Sequence, residues 1–472
     1  MNTTTLLLTA LACGTTASSS AQVTVAPPLG AAPTLTIPTL QRAVLPNGLT
    51  LIVARNAEVP VVEGRLLIDG GARLAGVAPG LATFAASMLT EGAAGRNALQ
   101  LAEDIAFLGA SINAGAGWEN ITLSVRAPKR TFNDALGLAA DVVLRPNFSS
   151  ADVQRLRDLR LASFLQARDQ PGAVAQRVFY RNVFPASHPL HFSTAGDSAT
   201  TAPLDSATVR AFWRRAANPR RATLILSGDV TLVEARAWAT AHFGGWRAPA
   251  APALKPAART VVAAPSRATR VILVDKPDAA QSVILIGAPG VAKSSPNYAA
   301  LALMNTIMGG SFSSRLNDLL REQLGYSYGA GSSFAWEPVP GPFVASSQVR
   351  TNVTDSSLAV FFAQFNAMRN EHVSVDELDR GRNYLVLGAL GDYETAGNVA
   401  SAITQSIVFN EPLSAVVAEL KAIGAVTATQ VHSAARRHLD PSRLTVVVVG
   451  DIAKIRPGIE KLGLGPIEVQ TY

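Results

Sequence analysis

Charge is scarce in this chain, and so are cysteine and aromatic residues. Of the 472 residues, 16% are charged and 6% are aromatic, and Cys13 is the only cysteine. Lys and Arg never form a run longer than two, so the formal charge of +7 is not concentrated in a basic segment of the kind that binds nucleic acid. Hydrophobic residues make up 48%, which excludes a disordered chain and, at this length, predicts two or more domains.

The N-terminus lacks basic residues but has an apolar segment. No Lys or Arg precedes Arg42, residues 6–12 are apolar, and a small-x-small site ends at Ala21. This pattern predicts a signal peptide over residues 1–21 and a chain secreted into the periplasm. The apolar run is too short to span a bilayer, and no transmembrane segment is expected. Lipid attachment at Cys13 is the alternative; cleavage after Ala21 would leave a mature chain with no cysteine and no disulfide.

Histidine is also rare. Only His188 and His191, in the sequence HPLH, place two of the six histidines near each other. Because a segment that contains proline is not a helical face, we interpret it as a turn held by polar contacts rather than as a metal site.

The chain contains an internal duplication. Residues 219–230 match residues 441–452, with Pro, Arg, Thr, Gly and Asp all repeated at an offset of 222. Each copy is predicted to be a buried strand that ends in a Gly-Asp turn. The Ala/Pro-rich residues 247–267 are the predicted linker between an N-terminal domain, residues 22–246, and a C-terminal domain, residues 268–472.

Strand-like and helical stretches alternate within both halves. Apolar runs at residues 49–54, 121–127, 270–275 and 282–288 predict strands, Ser295 before Pro296 predicts a helix start, and Gly309-Gly310 a helix stop. The fold class is therefore α+β, with two similar domains, and two such domains commonly enclose a cleft.

One short stretch concentrates the residue types that are rare elsewhere. REQLGYSYGAGSS, residues 321–333, holds an arginine, two tyrosines and three glycines. We predict a helix that ends at Gly325 and a strand that starts just after it. Arg321 and Tyr328 would then flank the start of a sheet edge, where both can donate hydrogen bonds; a capped helix with a packed tyrosine is the alternative interpretation.

Several motifs together resemble a known family. They are LPNGLTLIVARNAEVPVV (45–62), DGGAR (69–73), GLATFAASMLTEG (80–92), LGASINA (108–114), HPL (188–190) and SSRLNDLLREQLGYSYGAGSSF (313–334). In order and spacing the chain resembles the pitrilysin and insulinase type of zinc peptidase, in its mitochondrial-processing-peptidase-like branch. The resemblance implies two peptidase-like domains around a peptide cleft.

The resemblance also shows what has been replaced. Active members carry H-x-x-E-H on the helix that matches GLATFAASML and a further glutamate ligand 76 residues after the second histidine. This chain has Thr83, Ala86, Ser87 and Ser163 at those positions. Because these side chains offer neither imidazole nor carboxylate, we expect no zinc in this chain, no other cofactor and no catalytic residues of its own.

A second family feature is retained. The family pattern R-E-x-x-G-x-x-Y matches Arg321 and Tyr328, which the resemblance implies reach the substrate carbonyl groups near the scissile bond. The resulting hypothesis is a non-catalytic, peptide-binding subunit of a heteromeric zinc metalloendopeptidase, inactive alone, with zinc in a homologous partner that carries H-x-x-E-H. The alternative is a non-enzymatic peptide-binding or structural protein on a degenerate peptidase fold, and an independent peptidase with an unrecognised site is a third hypothesis.

Overall fold

Short apolar runs form the strands of this protein, and longer stretches form its helices. The computed structural model describes residues 34–74, 77–250, 254 and 266–471. The predicted signal peptide and most of the predicted linker lie outside these residues. The first half consists of β1 (Leu40–Val44), β2 (Thr50–Arg55), β3 (Val61–Asp69), α1 (Leu81–Met88), β4 (Gly92–Ala93), β5 (Arg96–Asn97), α2 (Ala98–Phe107), β6 (Ser111–Ala116), β7 (Asn120–Pro128), α3 (Lys129–Leu144), α4 (Ser150–Arg168), α5 (Pro171–Val183), α6 (Ser198–Thr201), α7 (Ser206–Ala216), β8 (Ala222–Gly228) and α8 (Leu232–Phe243).

The second half follows the same order of strands. It consists of β9 (Arg270–Asp275), β10 (Gln281–Pro289), α9 (Tyr298–Asn305), a π-helical turn (Thr306–Gly310), α10 (Arg315–Asn317), a second π-helical turn (Asp318–Gln323), β11 (Ser327–Phe334), β12 (Pro342–Arg350), α11 (Thr354–Asn370), α12 (Val375–Gly391), α13 (Ala396–Phe409), α14 (Ala415–Ala425), α15 (Ala428–His438), β13 (Thr445–Gly450), α16 (Ile452–Lys461) and β14 (Ile467–Val469). Among the described residues, every helix is too short or too polar to cross a bilayer.

The four predicted strands are confirmed as β2, β7, β9 and β10. The predicted helix start at Ser295 is two to three residues early, because the Tyr298 amide donates to the Ser295 carbonyl (3.0 Å) and closes a turn first. The predicted stop is confirmed, since the helical segment ends at Gly310.

Two six-stranded sheets share one topology, which confirms the α+β class and the duplication. Their strand orders are β1-β2-β8-β3-β7-β6 and β11-β12-β10-β13-β9-β14. Read from opposite ends, β2, β8, β3, β7 and β6 correspond to β9, β13, β10, β12 and β11. The sixth strand differs, because β1 pairs antiparallel with β2 whereas β14 pairs parallel with β9.

The duplicated sequence forms the same strand in each sheet. β8 pairs in parallel with β2 and antiparallel with β3, and β13 makes the same two pairings with β9 and β10. Nearly every residue of β8 and β13 is buried, as expected for strands covered on both faces. Both strands end at the predicted glycine, Gly228 or Gly450, directly before aspartate.

Each sheet is covered on one face by helices of its own half and on the other face by a helix of the opposite half. Helix α5 of the first half packs Val178 and Phe179 against the second sheet, where Val447 contributes to the same apolar cluster. Helix α13 of the second half packs Ile403 against the first sheet, around Ile225. The two halves therefore exchange helices across their sheets, which the sequence pattern did not predict.

Candidate functional site

The stretch that contains Arg321 begins in a helix and ends in a strand. Helix α10 continues into the π-helical turn Asp318–Gln323, and Gly325 then takes a left-handed backbone with φ of 60°. A residue with a Cβ is strained in that conformation, so glycine provides the sharp exit from the helix. β11 starts two residues later, at Ser327. The predicted helix end and strand start are confirmed.

Arg321 and Tyr328 line the same open groove. Its volume is about 830 Å³, and it lies between α5 of the first half and the strands β10, β11 and β12 of the second. The two residues share it with apolar and neutral polar side chains, among them Gln176, Phe179, Tyr180, Phe312, Asn317, Leu285, Val344 and Gln348. Among the described residues that line the groove, Arg321 is the only charged one.

The guanidinium of Arg321 lies over an aromatic ring. Its Cζ atom is 4.6 Å from the centre of the Phe312 ring, and its Nε atom lies 3.1 Å from an oxygen of Glu322. The arginine side chain remains 41% exposed, so the Glu322 pair is a surface ion pair of small energy. The Phe312 ring packs against the guanidinium of Arg321, while several N–H groups of the guanidinium stay available for a ligand.

Tyr328 projects from an irregularity in β11. The pairing of β11 with β12 shifts between Ser327 and Ala330, and Tyr328 is 90% exposed. Side chains of neighbouring elements satisfy the displaced backbone: Ser347 Oγ donates to the Gly329 carbonyl (2.9 Å), and the Ala330 amide donates to Asn317 Oδ1 (3.2 Å). Bulges of this kind redirect a side chain, and this one leaves the tyrosine hydroxyl in solvent.

Tyr326 lies in a different environment from Tyr328, although the two residues alternate in sequence. Tyr326 precedes the strand and packs partly buried against the core of the second half. In a regular strand their alternate spacing would place both tyrosines on one face. They lie in different environments because the strand begins only at Ser327 and is bulged directly afterwards.

Residues 325–329, with the sequence GYSYG, fit the pattern G-x-S-x-G. In hydrolases that pattern places an exposed serine on a turn from a strand to a helix. Here the order is helix to strand, and the Ser327 hydroxyl oxygen is buried with no hydrogen-bond partner in the described structure. The geometry is not that of a nucleophile.

The four positions at which the resemblance implies metal ligands lie on α1 and α4. Thr83 Oγ1 lies 2.9 Å from the carbonyl oxygens of both Gly80 and Thr194, which share its one hydroxyl proton, and Ser87 donates to the Phe84 carbonyl at 2.9 Å. Ala86 is fully buried in the core of the first half. Both hydroxyl groups therefore stabilise local structure.

A guanidinium lies between these two hydroxyl groups. Arg160 on α4 donates from Nη1 to Thr83 Oγ1 (3.3 Å) and to the Gly80 carbonyl (3.2 Å), and from Nη2 to Ser87 Oγ (3.4 Å). Its Cζ atom lies 4.9 Å from the centre of the Phe84 ring. Burial lowers the pKa of Arg160, but an arginine remains charged at neutral pH.

This arrangement does not fit zinc. Thr83 and Ser87 already bind a cation, and a divalent ion placed between them would meet the positive charge of Arg160. Ser163 is exposed and donates to the Arg160 carbonyl of its own helix (2.7 Å). No group of three or more histidine, cysteine or carboxylate side chains in the described parts of the chain could hold a metal.

The HPLH segment is a turn held by polar contacts, as the sequence indicated. His188 Nδ1 accepts from the Leu190 amide (3.1 Å), and its ring stacks on Phe184 at 4.5 Å between centroids. His191 Nδ1 lies 2.8 Å from the Phe184 carbonyl oxygen. His188 is buried beside the ion pair of Arg73 and Glu119 and contributes to the packing of the first half.

Sequence reasoning singled out Thr83, Ala86, Ser87 and Ser163 but missed Arg160, which contacts two of them. The signal was present, because Arg160 lies one helical turn before Ser163. Helix α4 carries three other arginines, so the sequence pattern predicts that Arg160 is solvent-exposed like them. Only the packing of α4 on α1 distinguishes Arg160 from the other three.

The fold and the site define a duplicated α+β peptidase-like chain in which the guanidinium of Arg160 contacts Thr83 and Ser87, two positions that the resemblance assigns to metal ligands. Comparison with known families agrees. Residues 51–188 match the insulinase family, peptidase family M16, and residues 203–385 match the peptidase M16 inactive domain. The chain belongs to the peptidase M16 family.

Relatives and solved structures support the same assignment. The chain is 26% identical over 300 residues to an uncharacterized zinc protease of Mycobacterium leprae, covering 62% of this chain and 65% of that protein. It is 25% identical to one of Streptomyces coelicolor, covering 88% and 90%. A peptidase M16 inactive domain from Pseudomonas fluorescens superposes with a TM-score of 0.79 at 26% identity, covering 87% of this chain and 98% of that one. A Helicobacter pylori protease with a TM-score of 0.80, 16% identity and coverage of 88% and 100% shares the fold.

Proposed function

We propose that this chain is a substrate-binding, non-catalytic subunit of a heteromeric zinc metalloendopeptidase. Its partner is a homologous subunit that carries H-x-x-E-H and holds the zinc. The observation that carries the proposal is the common groove of Arg321 and Tyr328, in which the arginine fork is only partly paired and the tyrosine hydroxyl is in solvent.

The chemistry of the groove suits a peptide in an extended conformation. β11, which carries Tyr328, is the last strand of its sheet, so one side of its backbone is not paired within that sheet. On that side Asn317 already accepts from the Ala330 amide, and Asn305 donates to the Ser332 carbonyl. The side chains of the groove would therefore hold the peptide, and the apolar ones suit alternate peptide side chains.

Two donors of different character would act on the bound peptide. The planar fork of Arg321 grips backbone carbonyl groups, and the Tyr328 hydroxyl donates to the carbonyl oxygen on which negative charge develops. The attacking water and its activation belong to the partner, because the metal positions of this chain hold Thr83, Ala86, Ser87 and Ser163.

Co-expression tests this function. The chain is produced with a zinc-bearing M16 homologue encoded in the same genome, and peptide cleavage is measured for each chain alone and for the purified complex. We expect activity only in the complex, and loss of that activity when this chain carries Tyr328→Phe together with Arg321→Ala. Tyr384→Phe is the matched control, since Tyr384 is also exposed, at 55%, but lies on α12 outside the groove lining.

Equal activity of the zinc-bearing homologue alone would contradict the proposal. If no complex forms but this chain still binds peptides, the result favours the alternative of a non-enzymatic peptide-binding protein.

We also propose that the chain is exported to the periplasm with cleavage after Ala21. Mass spectrometry of the protein from a periplasmic extract should find a mature N-terminus at Gln22. An intact N-terminus in the cytosolic fraction would contradict export, and a lipid-modified Cys13 in the membrane fraction would identify the anchored alternative.

A further inference from the structure

The guanidinium of Arg160 has no counter-ion in the described structure. Its three hydrogen bonds go to neutral oxygens, those of Gly80, Thr83 and Ser87. Burial lowers the pKa of Arg160. Buried charges are normally paired, so a half-buried arginine without a carboxylate is an unusual feature.

The acidic residues on α4 and directly after α1 are engaged elsewhere, among them Asp152, which pairs with Arg155. Glu91, which follows α1, forms an ion pair with Arg155, and Asp158 on α4 lies 3.7 Å from Arg157. Helix α1 itself carries no acidic residue. The positive charge of Arg160 is therefore not neutralised from either helix.

Arg160 also retains unused donors. An arginine has five N–H groups, and three of them are used in the contacts to α1. The Nε–H and one Nη2–H make no hydrogen bond among the described residues, and Arg160 is only partly buried. Two adjacent N–H groups of one guanidinium match the two oxygens of a carboxylate.

The remaining contacts hold the fork in place. The Phe84 ring supports the guanidinium plane, and the hydroxyls of Thr83 and Ser87 accept from its inner side while donating their own protons to backbone carbonyls. A donor pair that is fixed before binding loses little conformational entropy when a ligand arrives. Packing alone would explain the ring contact but not a charge left without a partner.

We propose that the former metal site of this chain is an anion-binding site in which Arg160 takes the carboxylate of a peptide. The group is either the C-terminal carboxylate or the side chain of an aspartate or glutamate, which share this chemistry. The peptide nature of the ligand rests on the function proposed above, whereas the carboxylate chemistry rests on Arg160.

Calorimetric titration of the full chain without any partner tests the site. Three N-acetylated hexapeptides of alanine and tyrosine serve as probes: one with a free C-terminal carboxylate, one with a C-terminal amide, and one amide that contains an internal glutamate. We expect a carboxylate-bearing peptide to bind about tenfold or more tightly than the neutral amide. The peptide that shows the gain identifies the source of the carboxylate.

Variants assign the gain to Arg160. Arg160→Gln should remove the difference between the charged and neutral peptides, while Arg157→Gln on the same helix should keep it. Arg321→Gln should weaken the binding of all three peptides alike and keep the difference between them, so a failure of the groove proposed for Arg321 and Tyr328 remains distinguishable from a failure of this site.

Ser87→Asp provides a test that does not depend on removing the arginine. It places a carboxylate beside Nη2, so it should raise the melting temperature and abolish the preference for charged peptides. Equal binding of all three peptides to the unaltered chain would overturn the proposal, as would a preference that survives both Arg160→Gln and Ser87→Asp.

Discussion

Arg315 binds both carboxylate oxygens of Glu377, with Nε–Oε1 and Nη2–Oε2 distances of 2.6 and 2.9 Å. The pair joins α10 to the first turn of α12, and α10 continues directly into the turn that carries Arg321. Glu377 also accepts from the Ser374 amide in a capping box (2.9 Å). One carboxylate therefore fixes the helix that presents the candidate substrate-binding arginine.

We expect this pair to make stability depend on acidic pH. The hydrogen bond from Arg315 is the main reason that the pKa of Glu377 falls from 4.5 to about 2. A carboxyl whose pKa is lowered by folding stabilises the fold above its unfolded pKa, and this contribution disappears as the pH falls from 4.5 toward 2. Glu377→Gln should cost on the order of 2 kcal/mol at neutral pH and almost nothing near pH 2.

Urea unfolding of both proteins across this pH range measures the difference. Asp379→Asn is the control, because Asp379 makes an exposed pair with Arg382 on the same helix and should change stability little. A cost for Glu377→Gln that is the same at pH 7 and pH 2 would show that the carboxylate charge is not responsible.

In an assembled complex, Tyr328→Phe should lower kcat roughly 100-fold, because it removes one donor to the developing oxyanion. Arg321→Lys should also impair activity, since an ammonium cannot reproduce a planar fork. Arg321→Ala should raise KM more than Tyr328→Phe does, if the arginine grips the peptide away from the reacting carbon.

Steady-state kinetics with zinc analysis of the partner separates these effects, and the zinc content should not change in any variant. Tyr384→Phe should behave like the unaltered chain. Full kcat and KM in Tyr328→Phe would return this residue to a structural role.

The purified chain should hold well under one zinc. Restoring His at 83 and 87 and Glu at 86 and 163 should not suffice while Arg160 remains between the first two positions, because its charge opposes a divalent cation. Adding Arg160→Leu to the restored variant should allow about one zinc per chain. Elemental analysis after dialysis against a mild chelator decides this, and one tightly held zinc in the unaltered chain would contradict it.

Helix exchange between the halves should contribute strongly to stability. Phe179 on α5 is fully buried against the second sheet, so Phe179→Ala should cost about 3–5 kcal/mol. Gly287→Ala should also be costly, since a Cβ there would lie 2.9 Å from the Phe179 ring and 2.0 Å from the Phe343 carbonyl oxygen. Chemical denaturation provides the measurement, and Leu165→Ala, on α4 with 59% exposure, is the control expected to have little effect. An equal loss of stability in Phe179→Ala and Leu165→Ala would contradict the role of α5.

Local patterns predicted the repeated units of the fold. Short apolar runs predicted the strands β2, β7, β9 and β10, because a buried strand needs apolar side chains within its own few residues. The sequence did not predict where α5 and α13 pack, since a helix that covers the opposite sheet has the same pattern as one that covers its own.

The candidate site divides in the same way. The sequence by itself determined which side chains stand at the four positions that the resemblance assigns to ligands, and Thr83, Ala86, Ser87 and Ser163 offer neither imidazole nor carboxylate. It also determined the spacing of Arg321 and Tyr328 and the helix exit at Gly325. Only the tertiary structure decided that the bulge exposes Tyr328, and that Arg160 lies between Thr83 and Ser87, 77 and 73 positions away. Those outcomes depend on strand pairing and on the packing of α4 against α1, which bring together residues that are distant in the chain.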